Sequence, residues 1–325
     1  MARFNRIPRR FMTMGGLAAV LLVAGVLQLA DANPAASQTM TLTAWQAPSD
    51  PGLDPFAPIW GQTLFIQAPL TAQAGSYAAG GGSIPVVWAR ALHYNNTLYV
   101  RLEWEDSTPD DSTLRVDQFS DAAAIEFPAK SATTVPAVCM GQADAGVNIW
   151  QWRADSQAGI GDPADRYANA LVDMYPSKDD LYYTARYVGN PYARPDQGPV
   201  QNLLAQAFGT ISPSDVQDVR GHGEYRNGRW AVVFARPFTG AAPDLATFTP
   251  GTTTDIAIAV WNGSEGDRNG RKAISQFMAL SISGATIPKP PGSHWLLFVV
   301  AAGALACIGG GGVALGLIGL REGRQ

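Results

Sequence analysis

Residues 95–105 read NNTLYVRLEWE. Leu98, Val100, Leu102 and Trp104 fall on one side of this stretch, and Tyr99, Arg101 and Glu103 on the other. That period of two is the pattern of a half-buried β-strand, and Asn95-Asn96 ahead of it reads as a turn. Asn227-Gly228 signals a second hairpin, because both residues accept the positive φ angles a tight turn needs. The strand after it alternates Trp230, Val232 and Phe234 against Ala231, Val233 and Ala235. Further strand candidates lie at 86–92, 122–127, 147–152, 181–188, 255–261 and 274–282. Many short strands separated by Gly, Pro and Asn turns predict an all-β fold, an antiparallel β-sandwich. Residues 153–180 and 189–219 are polar and Pro-rich, and read as long loops with a short helix at 203–208. Loops of such length in a compact domain usually serve function.

The ends of the chain differ from this middle. Arg3, Arg6, Arg9 and Arg10 precede an uncharged run at 11–30, and Ala30-Asp31-Ala32 has the small-x-small form of a signal-peptidase site. Residues 1–36 are therefore read as a signal peptide or an N-terminal anchor. Arg9-Arg10-Phe11 also has some twin-arginine character, beside the general secretory reading. Residues 295–320 carry no charge. At about 1.5 Å per helical residue they are long enough for a transmembrane helix across a hydrocarbon core of about 30 Å. Arg321 and Arg324 follow at once, which places the tail 321–325 in the cytoplasm and the domain 37–287 on the extracytoplasmic face of the cell membrane. Residues 288–294, rich in proline, form a tether. A net charge of -4 and a pI near 5.4 argue against nucleic acid as a partner.

Two stretches carry candidate chemistry. Residues 138–155, VCMGQADAGVNIWQWRAD, place Met140 at a Gly-rich turn (Gly141, Gly146) ahead of a short aromatic strand. Residues 261–280, WNGSEGDRNGRKAISQFMAL, place Lys272 after a turn rich in Gly, Asn and Asp. Taken alone, Met140 reads as core filling and Lys272 as a surface lysine beside Arg271.

Together with residues 119–128 (FSDAAAIEFP) and 229–234 (RWAVVF), these stretches resemble a known family. It comprises the haem b-binding gamma subunits of type II DMSO-reductase-family molybdoenzymes: ethylbenzene and dimethylsulfide dehydrogenases, selenate and chlorate reductases, and nitrite oxidoreductases. The resemblance spans about residues 60–280, and its most specific pieces are the Met-Gly turn leading into VNIWQW and the Asn-Gly-Arg-Lys turn. In that family haem iron is held between a methionine and a lysine, roles that would fall on Met140 and Lys272. The resemblance implies one haem b and an electron-transfer role, with an iron-sulfur beta subunit and a molybdopterin alpha subunit as partners. Electrons would pass to or from a cytochrome c or a quinone-linked acceptor of a respiratory chain, in a complex that is nitrate- or nitrite-linked.

A thioether is a soft, neutral donor that favours ferrous iron. Lysine binds iron only as the neutral amine, a form favoured by the metal's charge and by desolvation. With both axial positions filled by protein, no open position remains for a substrate, so the chain itself is not expected to be an enzyme. His222, between Gly221 and Gly223 in what reads as a flexible loop, is the rival to Lys272 as ligand. His93 reads as a hydrogen-bonded surface histidine, and His294 as a residue of the membrane boundary. No C-x-x-C-H run is present for covalent haem. Cys139 and Cys307 fall in different parts of the chain and are not expected to pair. Glu103, Glu105 and Asp106 read as solvated strand-edge carboxylates, and Asp110 and Asp111 as part of a polar loop. The alternative reading is an exported carbohydrate-binding or adhesion sandwich without haem, recognising sugars through exposed Trp and Tyr.

Overall fold

The structure, a computed structural model, describes residues 40–73, 80–130, 132, 134–138, 140–159, 187–188 and 198–288. The chain divides into Met1–Met40 and a compact unit Thr41–Gln325, to which all the elements below belong. The segment 1–36, the tether beyond residue 288, the span 295–320, the tail, Cys139, Cys307, His294 and most of the strand candidate 181–188 lie outside the described residues. Among the described residues no helix is long and apolar enough to cross a membrane.

The strands are β1 (Thr41–Gln46), β2 (Ile66–Pro69), β3 (Thr71–Ala72), β4 (Val86–Tyr94), β5 (Thr97–Glu105), β6 (Ala122–Pro128) and β7 (Val147–Arg153), followed by β8 (Val200–Ala205), β9 (Ser212–Pro213), β10 (Arg220–Tyr225), β11 (Arg229–Pro237), β12 (Thr253–Trp261), β13 (Ala273–Ile274) and β14 (Met278–Thr286). Two short α-helices, α1 (Pro58–Gln62) and α2 (Ala154–Ala158), and a 3-10 turn at Gly263–Glu265 also lie among the described residues. Hydrogen bonds connect the strands in the order β10-β11-β5-β4-β1-β14-β12-β6-β7-β8-β9. The path folds into two layers at β12, whose first half (Thr253 to Ile256) pairs with β14 and whose second half (Ala257 to Trp261) pairs with β6.

Both expected hairpins form. Asn95 and Asn96 have φ of 44° and 57° between β4 and β5, and Asn227 and Gly228 have φ of 55° and 75° between β10 and β11. These positive angles match the twist of the flanking strands.

Three features differ from the sequence reading. The sandwich is not wholly antiparallel, because β1 runs parallel to both β14 and β4. No hairpin joins β1 to either neighbour, so nothing local forces the antiparallel direction. The first half of the expected helix at 203–208 is instead the end of strand β8, which pairs with β7 over its whole length, and residues 206–208 turn toward β9. The expected strand at 274–282 is broken after Ile274, where the buried Ser275 hydroxyl takes the Ile258 N–H at 2.9 Å and so replaces a ladder bond.

The core between the layers is aromatic. Trp104 of β5, Trp152 of β7 and Trp230 of β11 meet with ring centroids 5.0 to 6.5 Å apart. Phe127, Trp150 and Phe248 form a second group at 4.7 to 5.9 Å. Alternation then dictates that Ala122 and Ala124 of β6, Val147 and Ile149 of β7 and Leu203 of β8 face away from this core, where they form a second apolar cluster. Such a face must be covered or used.

Candidate functional site

The second apolar face is the floor of a cleft of about 460 Å³. Ala122, Ala124, Ala257 and Ala259 keep the floor low, and loops from four places raise the walls: Phe119 from the β5–β6 connection, Val138 and Met140 from β6–β7, Phe208 and Ile211 from β8–β9, and Asp267 to Gly270 with Lys272 from β12–β13. Met140 and Lys272, far apart in sequence, thus line the same cavity.

Each is positioned by local chemistry. Met140 precedes Gly141, whose φ of 66° turns the chain so that its N–H meets the Ala137 carbonyl at 3.0 Å. A Cβ on Gly141 would lie 2.6 Å from the Ala145 carbonyl oxygen, so this turn requires glycine. Met140 itself is half-buried against the apolar floor. The Lys272 turn is a closed ring. The Asn262 side chain accepts from Ser264 N–H at 3.1 Å, Trp261 Nε1 donates to the Asn269 carbonyl at 3.0 Å, and Arg271 pairs with Asp267 at 3.3 Å. Lys272 is not the surface lysine its flanking charges suggest. It is only 4 % exposed, its carbonyl accepts from Gln73 N–H at 3.0 Å, and its Nζ lies 5.3 Å from the Trp261 ring centroid.

His222 does not line the cleft. It lies on strand β10, not in a flexible loop, and points outward. Its flanking glycines answer to packing, since a Cβ on Gly223 would collide with the Trp152 indole. His93 is buried and not at the surface, with Nε2 2.6 Å from the Ser283 carbonyl.

Several polar groups of the cleft were not singled out from the sequence. Glu126, Gln151, Gln201 and Arg153 project from alternate positions of β6, β7 and β8 into the cavity. The legible signal was a carboxylate within the otherwise apolar run AAAIEF. Arg153 holds Asp155 through Nε at 2.9 Å and Nη2 at 2.5 Å. Burial pushes the Asp155 carboxyl up, but these bonds and one from Thr113 outweigh it and hold the group below its ordinary value.

Behind the wall stand carboxylates that the sequence reading took as solvated or passed over. Asp106 is 4 % exposed, and Asp121, between the cleft residues Ser120 and Ala122, is fully buried. Asp121 accepts from Gly263 N–H at 2.8 Å, Asp110 N–H at 2.7 Å and Trp230 Nε1 at 2.9 Å. It thereby ties the Lys272-bearing turn to β6 and the inter-sheet core. Burial raises both carboxyls, Asp106 to about 6 and Asp121 to about 7, the latter also through the neighbouring charge of Asp106. Among the described residues no group of three or more His, Cys, Asp or Glu is arranged to hold a metal ion.

Fold and site together define a β-sandwich with a largely apolar, cofactor-sized cleft on the outer face of one sheet, within the range of about 300 to 1,000 Å³ usual for small-molecule sites. The chain belongs to the family described as ethylbenzene dehydrogenase, which it matches over residues 57–273. It is 27% identical over 256 residues (78% of this chain, 76% of the relative) to a Haloferax mediterranei protein proposed to be a respiratory nitrate reductase heme subunit. It is 29% identical to the chlorate reductase subunit gamma of Ideonella dechloratans, over 68% of this chain and 75% of that one. To the dimethylsulfide dehydrogenase subunit gamma of Rhodovulum sulfidophilum it is 31% identical, over 54% of this chain and 52% of that one. Among solved structures, a family 9 carbohydrate binding module from Caldicellulosiruptor kristjanssonii in complex with glucose is similar at a TM-score of 0.38 and 11% identity, over 78% of this chain and 100% of the module. That likeness is too loose to carry an argument about function.

Proposed function

We infer that the chain is the haem-binding, electron-transferring gamma subunit of an oxidoreductase complex, with catalysis on other subunits. The observation that carries this reading is that Met140 and Lys272, a thioether and an amine from distant turns, line one apolar cleft. The relatives named for a heme subunit and for gamma subunits of a reductase and a dehydrogenase support it. The donor set fits a haem, because a soft thioether and a nitrogen base are both iron ligands and the alanine floor leaves room for a flat apolar group.

A haem bound there supplies reversible one-electron transfer. Met140 offers a neutral donor that stabilises the reduced state. Lys272, walled off from solvent, offers a nitrogen that must be unprotonated to bind. The alanine floor would limit water at one face of the group, and two protein ligands would leave the iron no position for a substrate. The finer assignment is one haem b, with iron-sulfur and molybdopterin subunits as partners and a cytochrome c or quinone-linked carrier beyond them. The main domain would be exported and held to the membrane through residues 295–320.

Absorption spectra of the full-length holoprotein test the ligands. Met140→Ala is expected to lose haem or to give a five-coordinate, high-spin spectrum. Lys272→Arg is expected to do the same, since a guanidinium stays protonated and has no lone pair for iron. Lys272→His is expected to regain six-coordination at a lower potential, while His222→Ala leaves the spectrum intact. A wild-type low-spin spectrum in both Met140→Ala and Lys272→Arg would overturn the assignment.

A further inference from the structure

Arg268 stands at the mouth of the cleft, four residues before Lys272, on the same closed turn. Its Nη1 donates to the Gly266 carbonyl at 2.7 Å, and its guanidinium carbon lies 4.6 Å from the centroid of the Phe119 ring, another wall of the cleft. The turn beneath it is fixed by paired backbone bonds between Arg268 and Arg271, at 3.0 and 2.8 Å. The neighbouring cations are committed elsewhere: Arg271 pairs with Asp267, and Arg153 takes both oxygens of Asp155. Among the described residues no carboxylate forms a salt bridge with Arg268. An arginine held by an aromatic face and a carbonyl, at the rim of an apolar cavity, presents its remaining N–H donors to whatever anionic group projects from that cavity.

We propose that Arg268 is a positioning residue for the cofactor, anchoring the carboxylate edge of a haem at the cleft mouth. The inference rests on the haem reading above. A flat apolar macrocycle gains from the alanine floor and Trp261, but its two ionised propionates cannot be buried without cost. The ligand therefore enters with its acidic edge toward Arg268. Charge-assisted hydrogen bonds to a planar guanidinium then fix its rotation about the axis through the iron.

The test compares haem b with its dimethyl ester, which keeps the macrocycle and removes both negative charges. Haem-stripped full-length protein is titrated with each, as wild type, as Arg268→Gln, and as Arg115→Gln, a control on an arginine already paired with Asp117 and outside the cleft. Wild type is expected to prefer haem over the ester by about tenfold or more, the scale of one charge-assisted hydrogen bond. Arg268→Gln is expected to lose most of that preference with its ester affinity nearly unchanged, and Arg115→Gln to behave as wild type. An unaltered preference in Arg268→Gln would overturn the anchor while leaving the haem site standing. If neither ligand binds wild-type protein, the haem reading falls and the anchor with it.

Discussion

Asp121 and Asp106 show what burial does to a single side chain here. Asp121 accepts three N–H donors, which favour its anion, whereas one oxygen of Asp106 is buried with no hydrogen-bond partner. Burial and mutual repulsion raise both carboxyls, and the two titrate as a pair. Charged or titratable groups around them are Asp110 and Tyr225, and neither is a cation. Both folded values, about 6 and about 7, exceed the ordinary 3.8, so the folded state binds more protons than the unfolded chain between about pH 4 and 7. Stability contributed by the pair is therefore greatest below that window and is lost as pH rises through it. Asp106→Asn is expected to flatten this fall, narrowing the loss between pH 5 and pH 8 by about 1–3 kcal/mol in chemical denaturation. A slope equal to wild type would remove Asp106 from the pair.

At the scale of an element, β10 is the exposed edge of its sheet, and α2 blocks it. Gln157 donates from Nε2 to the Gly223 carbonyl at 2.7 Å and accepts from Gly223 N–H at 2.8 Å, so one side chain mimics a neighbouring strand. Its Oε1 also accepts from Trp152 Nε1 at 2.9 Å, joining the edge to the aromatic core. Open strand edges invite pairing with other chains. Gln157→Ala is expected to cost about 1–3 kcal/mol by leaving those groups unpartnered, and to speed exchange of the Gly223 amide in hydrogen-exchange measurements. Unchanged protection there would show that the edge needs no plug. Local patterning made β5, β7 and β11 legible, because alternation and Asn turns act within one strand. The end of β8 lies in a polar, Pro-rich stretch expected to be a loop with a short helix at 203–208. Its pairing with β7 settled the conformation, as tertiary context overrides weak propensity.

For the whole molecule, Arg236 fastens one layer to the other. Fully buried on β11, it donates to Asn148 Oδ1 of β7 at 2.8 Å, to the Pro237 carbonyl at 3.2 Å and to the Ala246 carbonyl. Burial pulls its guanidinium down to about 10, with Asp218 acting against this, so it stays charged at neutral pH. Asn148 passes the interaction to Asn202 at 2.6 Å, and Asn202 reaches Asp218 at 2.9 Å. Asn148→Leu breaks the relay at its centre and is expected to destabilise the sandwich by about 2–4 kcal/mol, read as a lowered denaturation midpoint. A variant as stable as wild type would show that the relay adds nothing to the joining of the layers. At the same scale, Arg321 and Arg324 predict a cytoplasmic tail, so a reporter fused after Gln325 is expected to be active only in the cytoplasm. Activity of an export-dependent reporter at that position would reverse the topology.

By itself the sequence determined what is local: the period of two in TLYVRLEWE, the positive φ of Asn95, Asn96 and Asn227, and the thioether and amine within their turns. These depend on one strand's alternation or one residue's backbone freedom, and a few neighbours suffice to express them. Only the tertiary structure decided that β1 runs parallel to both its neighbours, that β12 serves both layers and that His222 faces away from the cleft. It also decided that Lys272 is buried and shares a cavity with Met140. Those are properties of hydrogen-bond partners and covering loops supplied from elsewhere in the chain. The alternation that places Ala122 and Ala124 on one face is written in β6, but whether that face meets solvent, a second sheet or a cofactor depends on which loops close over it.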